Sequence, residues 1–139
     1  MASKFQASLL LNTMVFVLEG MSKIDEEVRK ELEGWDRVIQ WKVMPDGPNA
    51  YIVTKDSYIN AAKGLHPEPN LSMVFQDIET TVGVLSRKLD PQDAIANQKM
   101  TIEGDFTDAM KLTGAMLHAE KYSKKVFFIL KCMLKAIFS

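Results

Sequence analysis

His66 and His118 are the histidines of this chain, Cys132 is its cysteine, and Glu103 and Asp105 form a carboxylate pair two positions apart. Each could do chemistry: metal ligation, nucleophilic attack, or general acid–base work. A metal-binding or catalytic histidine needs partners at ligand spacing. His66 precedes Pro67 in a loop, and His118 falls on the polar flank of a helical pattern. Neither has a second histidine or a cysteine nearby. Cys132 sits among apolar residues, where a thiol stays protonated and inert. Asp105 stands just before an apolar helical pattern and reads as its N-cap, which leaves Glu103 as a solvated strand residue rather than half of an acid–base pair. No glycine-rich phosphate loop is present. The expectation is a protein that is not an enzyme and needs no cofactor and no metal.

The bulk numbers bound the remaining classes. A chain of 139 residues fits a single domain over 1–139. Apolar residues make up 47 % of it, enough for a real core. A net charge of −1 leaves no footprint for nucleic acid. One cysteine excludes an internal disulfide framework and suits a reducing compartment. Nine methionines are many for this length, and their flexible thioethers suit either core filling or a surface that adapts to variable apolar ligands.

The elements that would position these residues follow from periodicity. A helix is expected from Ser3 to about Glu19, with Leu10, Met14, Val17, Leu18 and Met21 on one stripe. Asn12 and Thr13 interrupt its apolar run, which reads as too short to cross a bilayer and as a helix rather than a secretion signal. Ser22 reads as the next N-cap, paired with Asp25. Ile24, Val28, Leu32 and Trp35 then make a second stripe, and Gly34 stops it. The charges from Asp25 to Glu33 read as a solvated helix face.

From Arg37 the period becomes two, with Ile39, Trp41 and Val43 on one side. Pro45-Asp46-Gly47-Pro48-Asn49 turns the chain, and Ala50–Lys55 returns as a hairpin strand. Tyr58–Lys63 reads as an edge strand. Gly64 to Asn70, with two prolines, is a loop. Leu71–Phe75 is a strand, and Asp77 caps a helix bearing Ile78, Val82, Leu85 and Leu89 on one side. Asp90-Pro91 starts a short helix to Asn97. Met100 and Ile102 belong to a last strand. Asp105 opens a helix with Ala109, Met110, Thr113, Met116 and Leu117 on one side. A final apolar segment, Val126–Phe138, carries Lys124, Lys131 and Lys135 opposite its apolar side.

Lys99-Met100-Thr101-Ile102-Glu103-Gly104-Asp105, with Leu89-Asp90-Pro91-Gln92-Asp93-Ala94 before it and Ala109-Met110-Lys111-Leu112 after it, resembles the signature of the sterol carrier protein type-2 family. Leu71–Phe75 and Asp77 are similar to that family's apolar strand and acidic helix start. The resemblance covers about 24–122, with 1–21 and 124–139 as flanking helices. One departure stands out: the family often has glycine before the lysine, where this chain has Gln98. The resemblance implies an α+β fold, with a mixed sheet of about five strands, helices covering one face, and an apolar tunnel between the layers.

It also implies a hydrophobic ligand in that tunnel: fatty acid, acyl-CoA, phospholipid, sterol or isoprenoid. The expected walls are Phe75, Ile78, Val82, Leu85, Ile95, Met100, Ile102, Phe106, Met110 and Met116. Taken one at a time these residues read as core; taken as a set, the resemblance makes them a cavity. Val126–Phe138 closes the tunnel end or pairs with the first helix; a peripheral membrane contact or a homodimer contact is its alternative role. The rival function is an accessory or scaffold subunit that docks through its apolar terminal helices. Ile137-Phe138-Ser139 does not match the Ser-Lys-Leu peroxisomal address, and the expected location is the cytoplasm.

Overall fold

The computed structural model describes residues 2–114. The fold is α+β: a five-stranded mixed sheet in the order β3-β2-β1-β4-β5 with helices on one face. The strands are β1 (Arg37–Val43), β2 (Asn49–Lys55), β3 (Tyr58–Lys63), β4 (Leu71–Phe75) and β5 (Met100–Gly104). The helices are α1 (Lys4–Ile24), α2 (Glu26–Glu31), α3 (Ile78–Leu85) and α4 (Pro91–Ala96). A further helix, α5, runs over 106–114 to the end of the described residues.

Alternation decides which sheet face is buried. β1 pairs antiparallel with β2 and parallel with β4, so Trp41 stands opposite both Ala50 and Met73. β5 pairs antiparallel with β4 and places Met100 against Phe75 and Ile102 against Met73. Side chains two apart share a face, and this face carries Ile39, Trp41, Ile52, Leu71 and Phe75, all buried. Helix α1 packs on β2 and β3 and against α3; α4 meets β5. On the other face the loop between β3 and β4 crosses the sheet. There the His66 amide donates to Gln40 Oε1 at 2.8 Å, and the His66 ring meets the Tyr51 ring edge-on at 5.2 Å.

Local chemistry starts most helices where the sequence indicates. Asp77 Oδ1 accepts from the Thr80 amide at 2.7 Å, Asp90 Oδ1 from Gln92 at 2.7 Å with Pro91 in the first turn, and Asp105 Oδ1 from Thr107 at 2.8 Å. Ser3 and Gln6 form a reciprocal capping box on α1.

Four expectations are corrected. Ser22 is not a cap: it lies inside α1, and the Asp25 carboxylate caps α2 instead. The Ser22 hydroxyl donates to the Glu19 carbonyl at 2.8 Å and accepts from the Ile59 amide at 2.9 Å, tying α1 to β3. The buried stripe of α1 is Ala7, Leu11, Val15, Leu18, Met21 and Ser22; Leu10, Met14 and Val17 are only half-buried. A helix apolar on nearly every side gives its period no contrast, so sequence spacing cannot single out the inward face. Ile24, placed on the second stripe, is exposed, whereas Val28, Leu32 and Trp35 are buried. Finally, α1 has 21 residues and is long and apolar enough to cross a membrane by length and composition, although a third of its most apolar stretch is buried against the fold.

Candidate functional site

The described residues form a groove of about 550 Å³ along α1, on the side turned away from the sheet. Leu9, Phe16, Val17, Met21 and Ile24 give it apolar walls, and Gly20, Asn12 and Thr13 complete the described lining. Leu9, Phe16 and Ile24 are exposed, so this side of α1 is greasy without being covered in full. A volume of this size lies within the range of about 300–1,000 Å³ usual for small-molecule sites. Among the described residues the lining holds no ionisable side chain. These described residues can hold a ligand by apolar burial and neutral hydrogen bonds.

Among the described residues, none of those expected as tunnel walls lines this groove. Phe75 and Met100 are buried in the layer between sheet and helices. Ile78 and Leu85 pack partly buried against that core, and Val82 is half-buried. The buried positions of α3 are instead Thr80 and Thr81; the Thr81 hydroxyl reaches back to the Asp77 carbonyl at 2.9 Å. Ile95, Ile102, Phe106 and Met110 are exposed, the last two by 74 % and 61 %. Ile102 is on the core-facing side of β5, yet it is 41 % exposed while its cross-strand partner Met73 is 7 % exposed. The apolar layer thus opens toward solvent at its β5 end. Met116 lies outside the described residues, as do His118, Cys132 and the segment Val126–Phe138.

Helix α5 turns a different face inward from the one its spacing suggests. Asp108 and Leu112 are buried, and Met110 points outward. Asp108 is tolerated there because Trp35 Nε1 donates to it at 2.8 Å and Arg37 Nε donates to both of its oxygens at 3.2 Å. Sequence reasoning missed this cluster, since its members lie 71 and 73 positions apart. At the head of α3, burial pushes the Asp77 carboxyl up, but hydrogen bonds from the Thr80 side chain and backbone and the charge of Lys99 outweigh it. The net result is a pKa below the ordinary value of 3.8. Lys99 Nζ stands 3.6 Å from Asp77 Oδ2. Among the described residues no group of three His, Cys, Asp or Glu side chains is placed to hold a metal ion.

Comparison with known proteins adds the lineage. The pattern of the SCP-2 sterol transfer family matches residues 18–117. No curated protein matches the chain. Among solved structures, the sterol carrier protein domain 2 of Helicoverpa armigera is 26 % identical with a TM-score of 0.56, over 78 % of this chain and 85 % of that one. A UbiJ-SCP2 ubiquinone synthesis protein is 12 % identical with a TM-score of 0.55, over 83 % of this chain and 98 % of that one, and shows the shared fold. The sec-alkyl sulfatase PisA1 matches 63 % of this chain at 18 % identity and a TM-score of 0.50. This chain spans only 13 % of that enzyme's length. With its signature strand, its caps and its sheet order in place, this chain belongs to the SCP-2 sterol transfer family.

Proposed function

We propose that the chain binds a hydrophobic ligand without chemical change and carries or presents it. Fatty acid, acyl-CoA, phospholipid, sterol and isoprenoid are the candidate classes. The observation that carries this reading is the apolar groove along α1, whose described lining residues carry no ionisable group, on a chain of a sterol-transfer family. Burying about 200 Å² of ligand surface would contribute about 5 kcal/mol before the cost of association. No catalytic group is required, and a non-enzymatic role fits the chemistry of the lining. A cytoplasmic location fits a chain with one cysteine.

Organic extraction of gently purified protein, followed by mass spectrometry, tests the proposal. Recovery of an aliphatic compound near one per chain is expected. Absence of any such compound, together with no displacement of a fluorescent fatty acid, would contradict it.

The accessory-subunit reading has its own observation. Ile95, Ile102, Phe106 and Met110 place exposed apolar side chains on the β5 end of the fold, the kind of surface that a partner covers. Light scattering on wild type and on a Phe106→Ser, Met110→Ser variant separates the readings. Loss of an assembly with retained ligand binding would favour docking.

A further inference from the structure

Among the described residues β5 is an edge strand, paired on one side only, with β4. Two backbone contacts fix which of its groups face outward. The Gln76 amide donates to the Lys99 carbonyl at 2.9 Å, so Val74 with Thr101 and Ser72 with Glu103, matched at the same parity, also turn their amides and carbonyls toward each other. The Met44 amide donates to the Phe75 carbonyl at 2.9 Å, so Phe75 serves β1 rather than β5. Met100, Ile102 and Gly104 therefore aim their backbone groups away from β4, out of the sheet edge. Such a row is a template for another strand. The strand itself, Met-Thr-Ile-Glu-Gly, has neither the proline nor the lysine that discourages pairing. Ile102 is exposed on it, and Ile95, Phe106 and Met110 are exposed on α4 and α5, which precede and follow it.

We propose that the β5 edge docks a second copy of this chain, strand against antiparallel strand, about a two-fold axis at Ile102. This names the occupant of the surface on which the accessory-subunit reading rests, and it is independent of ligand binding along α1. Self-complementarity singles out the second copy. A two-fold contact sets residue i of one copy opposite residue j of the other, and j opposite i. The register that overlaps the whole strand puts Ile102 opposite Ile102 of the second copy and Met100 opposite its Gly104. These are the residues with outward backbone groups, so donors meet acceptors. Thr101 then faces Glu103 of the second copy, and the two Glu103 carboxylates are kept apart. Lys99, just before the strand, comes opposite Asp105, just after it, at both ends of the contact; both residues are exposed. Unlike charges directly opposite one another favour a strand pair, and like charges oppose it. A strand of uniform charge would meet a like charge at one end. Moving the axis to Glu103 would set the two carboxylates against each other.

The test is sedentation equilibrium of the full-length protein up to its highest soluble concentration, together with site-directed cross-linking. Wild type is expected to reach twice the chain mass and to dissociate on dilution. Lys99→Glu sets like charges at both ends and is expected to weaken the dimer about tenfold or more, with the circular dichroism spectrum unchanged. Asp77→Asn removes the neighbour of Lys99 within the chain and keeps a capping side chain; it is expected to leave the dimer as it is. In a Cys132→Ser background, Ile102→Cys is expected to oxidise to a disulfide-linked dimer, and Tyr58→Cys on β3, the opposite edge, is not. A monomeric wild type at every concentration would overturn the second copy as occupant and leave the surface to a foreign partner. A dimer that Lys99→Glu does not weaken, or that Ile102→Cys does not cross-link, would overturn the β5 register and place the contact elsewhere. Displacement of a fluorescent fatty acid, measured on the same samples, reports the ligand reading separately.

Discussion

Trp35 Nε1 donates to Asp108 Oδ1 at 2.8 Å, so the segment between α2 and β1 holds the first turn of α5. Arg37, at the start of β1, completes the clamp at 3.2 Å. Both donors reach a carboxylate that is 5 % exposed. Truncating it would leave a buried indole N–H without a partner. Asp108→Ala should therefore lose about 2–3 kcal/mol, measured by urea unfolding, and Asp108→Asn should lose less. A loss below about 0.5 kcal/mol for Asp108→Ala would show that the clamp is not structural.

Gly104 ends β5 with φ +130, opposite Leu71. A Cβ there would run into the carbonyl oxygen of Asn70 and stand 3.0 Å from Leu71 Cα, both backbone atoms that cannot step aside. Gly104→Ala should cost about 3 kcal/mol through overpacking and backbone strain. Thermal unfolding followed by circular dichroism checks it, and an unchanged midpoint would refute it.

Gln98 has φ +59, in the left-handed region. The chain thus makes the bend before Lys99 with a residue that resists it. Such a conformation costs a side chain about 1–2 kcal/mol, against which glycine loses about 0.5–1 kcal/mol of entropy. Gln98→Gly should stabilise the fold by about 0.5–1 kcal/mol, read as a higher urea midpoint.

Asp77 should make part of the stability pH-dependent. Its folded-state pKa lies below 3.8, so the native state favours the ionised form. That contribution is fully present above the unfolded value and is lost as pH falls through the lower folded one. Asp77→Asn should flatten the acid limb of the stability profile below about pH 4, while Asp77→Ala should also remove the cap and cost about 1 kcal/mol at neutral pH. An unchanged acid limb in Asp77→Asn would place the effect elsewhere.

These cases mark what the residues themselves disclose. The caps at Asp77, Asp90 and Asp105 and the alternation in β1 and β4 are local features, read within a few positions, and the structure follows them. Ser22 misleads because the partner that engages its hydroxyl, Ile59, is 37 positions away. The inward face of α5 is chosen by Trp35 and Arg37, and spacing alone points to Met110 instead of Asp108. The groove is hidden for a related reason: α1 is apolar almost all round, and only packing against β2, β3 and α3 decides which side remains open.

Photo-crosslinking most directly tests whether the α1 groove is the ligand site. Full-length protein would be irradiated with a diazirine-bearing fatty acid and the adducts mapped by peptide mass spectrometry. Labelling should concentrate on residues 9–24 and fall with excess unlabelled fatty acid. Adducts confined to other segments, or labelling that the unlabelled fatty acid does not reduce, would contradict the assignment.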